Sequence, residues 1–163
     1  MTKKILMVCM GNICRSPMAE AVMRKIFQRR GVDKEWVVDS AALVGYHSGS
    51  LPEERALNVL ENHGIHYDKE ARVIQPKDFT ECDYIFGMDS DNVAELKKIA
   101  PPDCRAKIML LGDFGLQESE KIIHDPYYFL GEAPFEEVYD KCVVACKAFV
   151  EEIVMRPLEE AGS

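Results

Sequence analysis

The chain has 163 residues, 47% hydrophobic and 29% charged, with a formal net charge of −8, proportions ordinary for one soluble globular domain with a single core. The acidic balance disfavours nucleic acid or an anionic membrane as the main partner, and no apolar run is long enough to cross a bilayer. Behind Lys3 and Lys4, the six apolar residues Ile5 to Met10 are too short for a secretory core, and Thr2 after Met1 gives no myristoylation signal.

The first element in chain order is an apolar run, Lys4–Cys9, read as a strand. It ends in V-C-M-G-N-I-C-R-S-P, Val8 to Pro17, and Ser-Pro then opens an amphipathic helix over Pro17–Arg29. A second strand follows at Trp36–Ala42 and a helix at Glu53–His63. Tyr84–Met88 and Lys107–Leu111 read as strands, separated by a helix at Asp91–Ile99 that Pro101-Pro102 stops. A final helix from about Pro134 to Val154 carries Phe135, Val138, Cys142, Ala145, Phe149 and Ile153 as one stripe. The strand runs are short and non-alternating, as expected of strands buried on both faces. Strands alternating with helices, without a repeat or linker-like tract, predict one α/β domain over 1–163 with a parallel sheet and right-handed crossovers. Ligands of such sheets bind at the carboxyl ends of the strands, where the Cys9 loop falls.

That loop carries the chemistry. A strand that turns through a tight loop into a helix N-terminus points several backbone N–H groups at one spot, and the helix dipole adds positive potential. A free thiol is only roughly 3% ionised at pH 7, and a helix N-terminus or nearby cation raises that fraction. Full ionisation gains only about thirtyfold, so positioning and charge stabilisation must supply most of the catalysis. Arg15, spaced Cys-x5-Arg from Cys9, suits the second task because its fork bonds two phosphoryl oxygens while keeping its charge. Gly11 lets the backbone approach closely, and Asn12 tolerates a left-handed turn. Ser16 either caps the helix, with Pro17 at the first helical position, or donates to the Cys9 sulfur.

V-C-x-G-N-I-C-R-S-P is the signature of the low-molecular-weight protein tyrosine phosphatases, which this chain resembles almost throughout. A-E-A-V (19–22), D-S-A-A (39–42), N-H-G-I (62–65), D-Y-I-F-G-M-D (83–89), C-R-A-K-I (104–108) and D-P-Y-Y (125–128) continue the resemblance. It implies a four-stranded parallel sheet flanked by helices, with a phosphate loop of Met10, Gly11, Asn12, Ile13, Cys14, Arg15 and Ser16 after the first strand. It also implies hydrolysis of phosphotyrosine and aryl phosphates through a phosphocysteine on Cys9, with Arg15 holding the phosphoryl group. Asp125 would protonate the leaving group and then activate water, giving an activity optimum below neutral pH. Ile13, Tyr46, Tyr127 and Tyr128 would wall the pocket, and Ser40 would hold Asn12 in shape together with Ser16. Tyr127 and Tyr128 match positions phosphorylated by kinases, and Cys14 matches a partner that forms a reversible disulfide with Cys9 under peroxide. His47 stands where family members vary. Asp89 reads as a helix cap or a partner one step behind the site.

The other polar residues read more simply. Six cysteines without a secretory signal point to a reducing cytoplasm, and Cys142 and Cys146, four apart on one helix face, read as core rather than zinc ligands. His63, His66 and His124 read as surface groups, and Arg24, Lys25, Arg29 and Arg30 as a solvated basic run. Neither metal nor cofactor is expected. Partners would be phosphotyrosine proteins or peptides and small aryl phosphates, bound by a monomer, with weak self-association as the alternative.

Three rival functions share the fold. Arsenate reduction needs a relay of two further cysteines, and where Cys82 supplies one, the partner position is Asp89. Relatives that act on phosphoarginine place threonine where this chain has Ile13. A phosphate-binding module without turnover needs neither the thiol nor the acid.

Overall fold

In the computed structural model, which describes residues 2–162, the first apolar run forms β1 (Lys3–Cys9) and lies inside a parallel sheet of order β2-β1-β3-β4. The other strands are β2 (Trp36–Ala42), β3 (Tyr84–Gly87) and β4 (Lys107–Leu110). Side chains alternate across a strand, and β1 is apolar on both faces. Ile5, Met7 and Cys9 join the larger core, whereas Leu6 and Val8 join a second cluster with Phe79, Cys82, Ile85 and Leu96. Helices α1 (Arg15–Arg29) and α5 (Ala133–Phe149) contribute to the first core. Helices α3 (Pro76–Glu81) and α4 (Ser90–Ile99) contribute to the second.

The chain leaves β1 for β2 on one side, then crosses back past β1 to β3 on the other. The carboxyl end of β1 is therefore the switch point of the sheet, where open α/β folds leave a crevice. Parallel pairing sets Met7 opposite Ser40 and Cys9 opposite Ala42, which brings the D-S-A-A segment beside the loop that follows Cys9. Phe149, fully buried, packs edge-on against Trp36, Tyr84, Phe86 and Phe114 at ring separations of 5.9, 5.2, 5.3 and 5.2 Å. Truncating such a side chain costs about 3–5 kcal/mol.

Three local features go against or beyond the expectations. First, α1 begins at Arg15, so Pro17 is its third residue and Ser16 does not cap it; Cys14 is the flanking residue and makes no side-chain cap bond. Proline remains tolerated because the first-turn N–H groups have no helical acceptor. Second, Pro76–Glu81 is helical, started by the Gln75 N–H donating to the Asp78 carboxylate at 2.7 Å. Third, the last helix does not stop at Val154. It passes through a π-helical turn, Val150–Met155, into α6 (Arg156–Ala161). The change of register there lets Pro157 sit in a first turn, where its missing N–H costs no helical bond.

Three members of the basic run are tied to the protein itself. Arg24 pairs with Glu20 and Arg30 with Glu151, and Lys25 reaches the carbonyls of His63 and Gly64. No helix among the described residues is long and apolar enough to cross a membrane.

Candidate active site

Cys9 ends β1 and is 3% exposed. The chain then reverses through Met10–Cys14 into α1, and Asn12 takes the reversal in the left-handed region at φ 58°. Asn is among the few non-glycine residues for which that region is cheap. Its side chain is bound on both ends. Asn12 Nδ2 donates to Ser16 Oγ at 2.8 Å and to Ser40 Oγ at 2.9 Å, while its Oδ1 accepts the Arg72 N–H at 3.2 Å.

These bonds fix where the hydroxyl protons point. Ser40 Oγ donates to the Glu20 carboxylate at 2.7 Å, which leaves its lone pairs for Asn12. Ser16 Oγ accepts from Asn12, so its single proton is free for the Cys9 sulfur, 3.0 Å away. Glu20 was not identified from the sequence. It is fully buried on α1 and also receives Tyr67 Oη at 2.8 Å and Lys69 Nζ at 2.8 Å. A carboxylate on a helix with Arg24 one turn on gives no sign of this, because its other partners, Ser40, Tyr67 and Lys69, are remote in the chain.

Arg15, 3% exposed, closes the bottom of the site. Its Nη1 donates to Asp89 Oδ2 at 2.7 Å and to the Ile123 carbonyl at 3.0 Å, and Nη2 stands 3.9 Å from Asp125 Oδ2. Burial works against the charged guanidinium, but the Cys9 sulfur and Asp89 outweigh it and hold its pKa above the ordinary value. Asp89 also caps α4, accepting the Asn92 N–H at 2.8 Å. For Cys14, burial first and then the nearby Cys9, Asp125 and Glu53 push the thiol well above its usual range.

Cys9, Arg15 and Asp125 line one cavity of about 140 Å³, together with Ile13, Tyr46, His47, Tyr127 and Tyr128. Ile13 is buried, Tyr127 is 41% exposed, and Tyr46 and Tyr128 are exposed at the rim. The ring of His47 faces Tyr127 across 6.2 Å and lies against Gly11, where an added Cβ would come within 2.9 Å of the imidazole. Asp125 Oδ1 accepts the Tyr127 N–H at 3.1 Å.

The remaining candidates lie elsewhere. Cys82 packs against the second core, where burial pushes its thiol up to about 12. Cys142 and Cys146 are fully buried in α5. His63 pairs with Glu136 and stacks on Tyr139, His66 pairs with Glu61, and His124 is exposed. No group of three or more potential metal ligands occurs among the described residues.

A thiol at the end of a central strand, faced by a turn into a helix and by a buried guanidinium, is the frame of a cysteine-based phosphate-transfer enzyme. A family model described as low molecular weight phosphotyrosine protein phosphatase matches residues 4–157. The chain is 52% identical over 154 residues to low molecular weight phosphotyrosine protein phosphatase 2 of Drosophila melanogaster, with 94% of each covered. The crystal structure of Primo-1 superposes with a TM-score of 0.92 at 48% identity, covering 94% of this chain and 99% of that one. That of DARP, a drosophila arginine phosphatase, superposes at 0.90 with 36% identity, covering 93% and 98%. The chain belongs to the low molecular weight phosphotyrosine protein phosphatase family.

Proposed function

We propose that this enzyme hydrolyses phosphotyrosine in proteins or peptides, and small aryl phosphates, through a phosphocysteine on Cys9. The observation that carries the reading is that Cys9 and Arg15, at the two ends of one loop, line a single cavity with Asp125, which is remote from them in the chain. In the first step the Cys9 sulfur attacks phosphorus, the P–O bond to the phenol breaks, and the Asp125 carboxyl gives its proton to the departing oxygen. In the second, water attacks phosphorus and passes a proton to Asp125, the S–P bond breaks, and orthophosphate leaves. Arg15 and the loop amides hold the equatorial oxygens throughout, and Ser16 Oγ–H stabilises the sulfur as it departs. Ile13, Tyr46, Tyr127 and Tyr128 surround the substrate ring.

An apolar Ile13 in the wall favours a phenyl ring over the guanidinium of phosphoarginine. The position of Cys82 in the second core, remote from the cavity lining, argues against an arsenate relay. Six free cysteines support a reducing, cytoplasmic setting, and we assign one phosphatase domain to 1–163, acting as a monomer.

The test is hydrolysis of a phosphotyrosine peptide, p-nitrophenyl phosphate and phosphoarginine by wild type, Cys9→Ser and Asp125→Ala, with chelator present. Cys9→Ser should be inactive on all three. Asp125→Ala should lose about 10²-fold or more in kcat/KM on phosphotyrosine and far less on the activated ester. Equal losses on both would remove the acid assignment. A preference for phosphoarginine would replace the substrate class.

A further inference from the structure

We propose that Arg55 is the positioning residue that sets Asp125 against the leaving group; the proposal rests on the reading of Asp125 as the acid. Arg55 stands in the first turn of α2 (Glu54–Asn62), its side chain 23% exposed. Its guanidinium gathers three carbonyls of the segment that follows Asp125. Nη2 donates to Tyr127 O at 3.1 Å, and Nη1 donates to Phe129 O at 2.5 Å and Gly131 O at 3.2 Å. The same plane lies 4.4 Å over the ring of Phe135, the third residue of α5.

The other end of this clamp is the phosphate loop. Arg55 Nε donates to Glu53 Oε1 at 2.8 Å, and Glu53 Oε2 accepts the Arg55 N–H at 2.7 Å. The Glu53 N–H in turn donates to the Ile13 carbonyl at 2.8 Å. A chain of hydrogen bonds therefore runs from the loop that holds the nucleophile to the loop that holds the acid.

The acid loop has little else to hold it. Pro126 is buried and its carbonyl accepts the Phe129 N–H at 3.1 Å, but Tyr128, Phe129 and Leu130 are 84%, 60% and 95% exposed, so apolar packing does not fix the backbone beyond Pro126. Tyr127 links the clamp to the chemistry: its carbonyl is bound by Arg55, and its N–H holds Asp125 Oδ1. A general acid must lie within hydrogen-bond reach of the departing oxygen, and misplacement by about 1 Å can cost about 10²-fold. Arg55 touches neither substrate nor the reacting atoms; it acts through Tyr127. Lysine is a poor substitute, because one ammonium cannot span three carbonyls as a planar fork does.

The experiment measures kcat/KM for wild type, Arg55→Ala, Arg55→Lys, Asp125→Ala and the Arg55→Ala/Asp125→Ala pair. The substrates are aryl phosphates whose leaving phenols range from about pKa 7 to about pKa 10. Thermal unfolding is followed alongside. Arg55→Ala should lose roughly 30-fold on phosphotyrosine but under about threefold on p-nitrophenyl phosphate, because only the poor leaving group needs the acid. In the Asp125→Ala background it should add less than about twofold, and Arg55→Lys should recover part of the loss. A general loss of folded protein would lower every substrate equally. If Asp125→Ala depends on the leaving group and Arg55→Ala does not, the Arg55 proposal is overturned and the acid survives. If Asp125→Ala is itself flat, the acid reading falls and takes the clamp's purpose with it. Should Arg55→Ala not fold, Arg55→Lys carries the same comparison: a leaving-group-dependent loss supports the clamp and a flat one refutes it.

Discussion

Arg15 and Asp89 form a 2.7 Å ion pair beneath the cavity, with the guanidinium 3% exposed and the carboxylate 23%. The pair fixes the plane of the only arginine lining the cavity among the described residues. Because Asp89 also caps α4, two substitutions separate its jobs. Asp89→Asn keeps an oxygen for the cap but leaves the buried guanidinium without its carboxylate, and should cost roughly 1–3 kcal/mol. Asp89→Ala should cost about 1 kcal/mol more, from the lost cap. Both should lower kcat/KM by about tenfold or more, by equal factors on phosphotyrosine and p-nitrophenyl phosphate, since the proposed mechanism has Arg15 serve the phosphoryl group rather than the leaving oxygen. A loss confined to phosphotyrosine would reassign Asp89 to the acid.

Asn12 combines a left-handed backbone with three side-chain bonds. Glycine supplies the backbone and none of the bonds; alanine supplies neither. Asn12→Ala should therefore unfold at lower denaturant than Asn12→Gly, by about 1 kcal/mol. Both variants should lose activity, because Ser16 is no longer held with its proton toward the sulfur. Full activity in Asn12→Gly would show that the side-chain network is dispensable.

Cys14 is 4% exposed, and its thiol is pushed up by burial and then by Cys9, Asp125 and Glu53. It stays protonated at neutral pH. Limiting iodoacetamide at pH 7 should accordingly label Cys9 before Cys14, as read by peptide mass. Cys14→Ser should keep kcat within about threefold of wild type, since an inert buried thiol adds nothing to the transfer step. Preferential labelling of Cys14 would reverse the two sulfurs.

Asp39, beside Ser40 on β2, gives a pH signature. Burial alone would raise its carboxyl, but Lys69 Nζ at 2.5 Å and Arg72 Nη2 at 2.9 Å outweigh it and hold the pKa at about 2. A depressed carboxylate stabilises the fold above its unfolded pKa, near 3.9, and loses that contribution as pH falls toward the folded value. Asp39→Asn should therefore be less stable than wild type at pH 6 by up to about 2 kcal/mol. The gap should narrow between pH 4 and pH 2. Urea midpoints across that range test the sign, and a gap that widens on acidification would contradict it.

What the sequence made legible follows from how local each signal is. β2 was read with its ends, Trp36 and Ala42, because a short, largely apolar run behind Lys34 and Glu35 needs no distant information. The reversal between β1 and α1 was legible because its Gly, Asn, Cys and Arg serve one turn of backbone. Helix α3 escaped because six residues carry no full apolar period; its start depends on a bond from Gln75 N–H to Asp78. Glu20 escaped for a different reason. Among A-E-A-V it looks like one polar residue of an amphipathic helix, and only the folding of Tyr67 and Lys69 over it makes it a buried acceptor. Arg55 was invisible in the same way, since backbone carbonyls leave no mark on composition.

The most direct test of the account is to mix enzyme with a ³²P-labelled phosphotyrosine peptide, quench within milliseconds, and map the label. Radioactivity should appear on the Cys9 peptide, rise before orthophosphate does, and be absent from Cys9→Ser. Label on another residue, or steady turnover by Cys9→Ser, would contradict it.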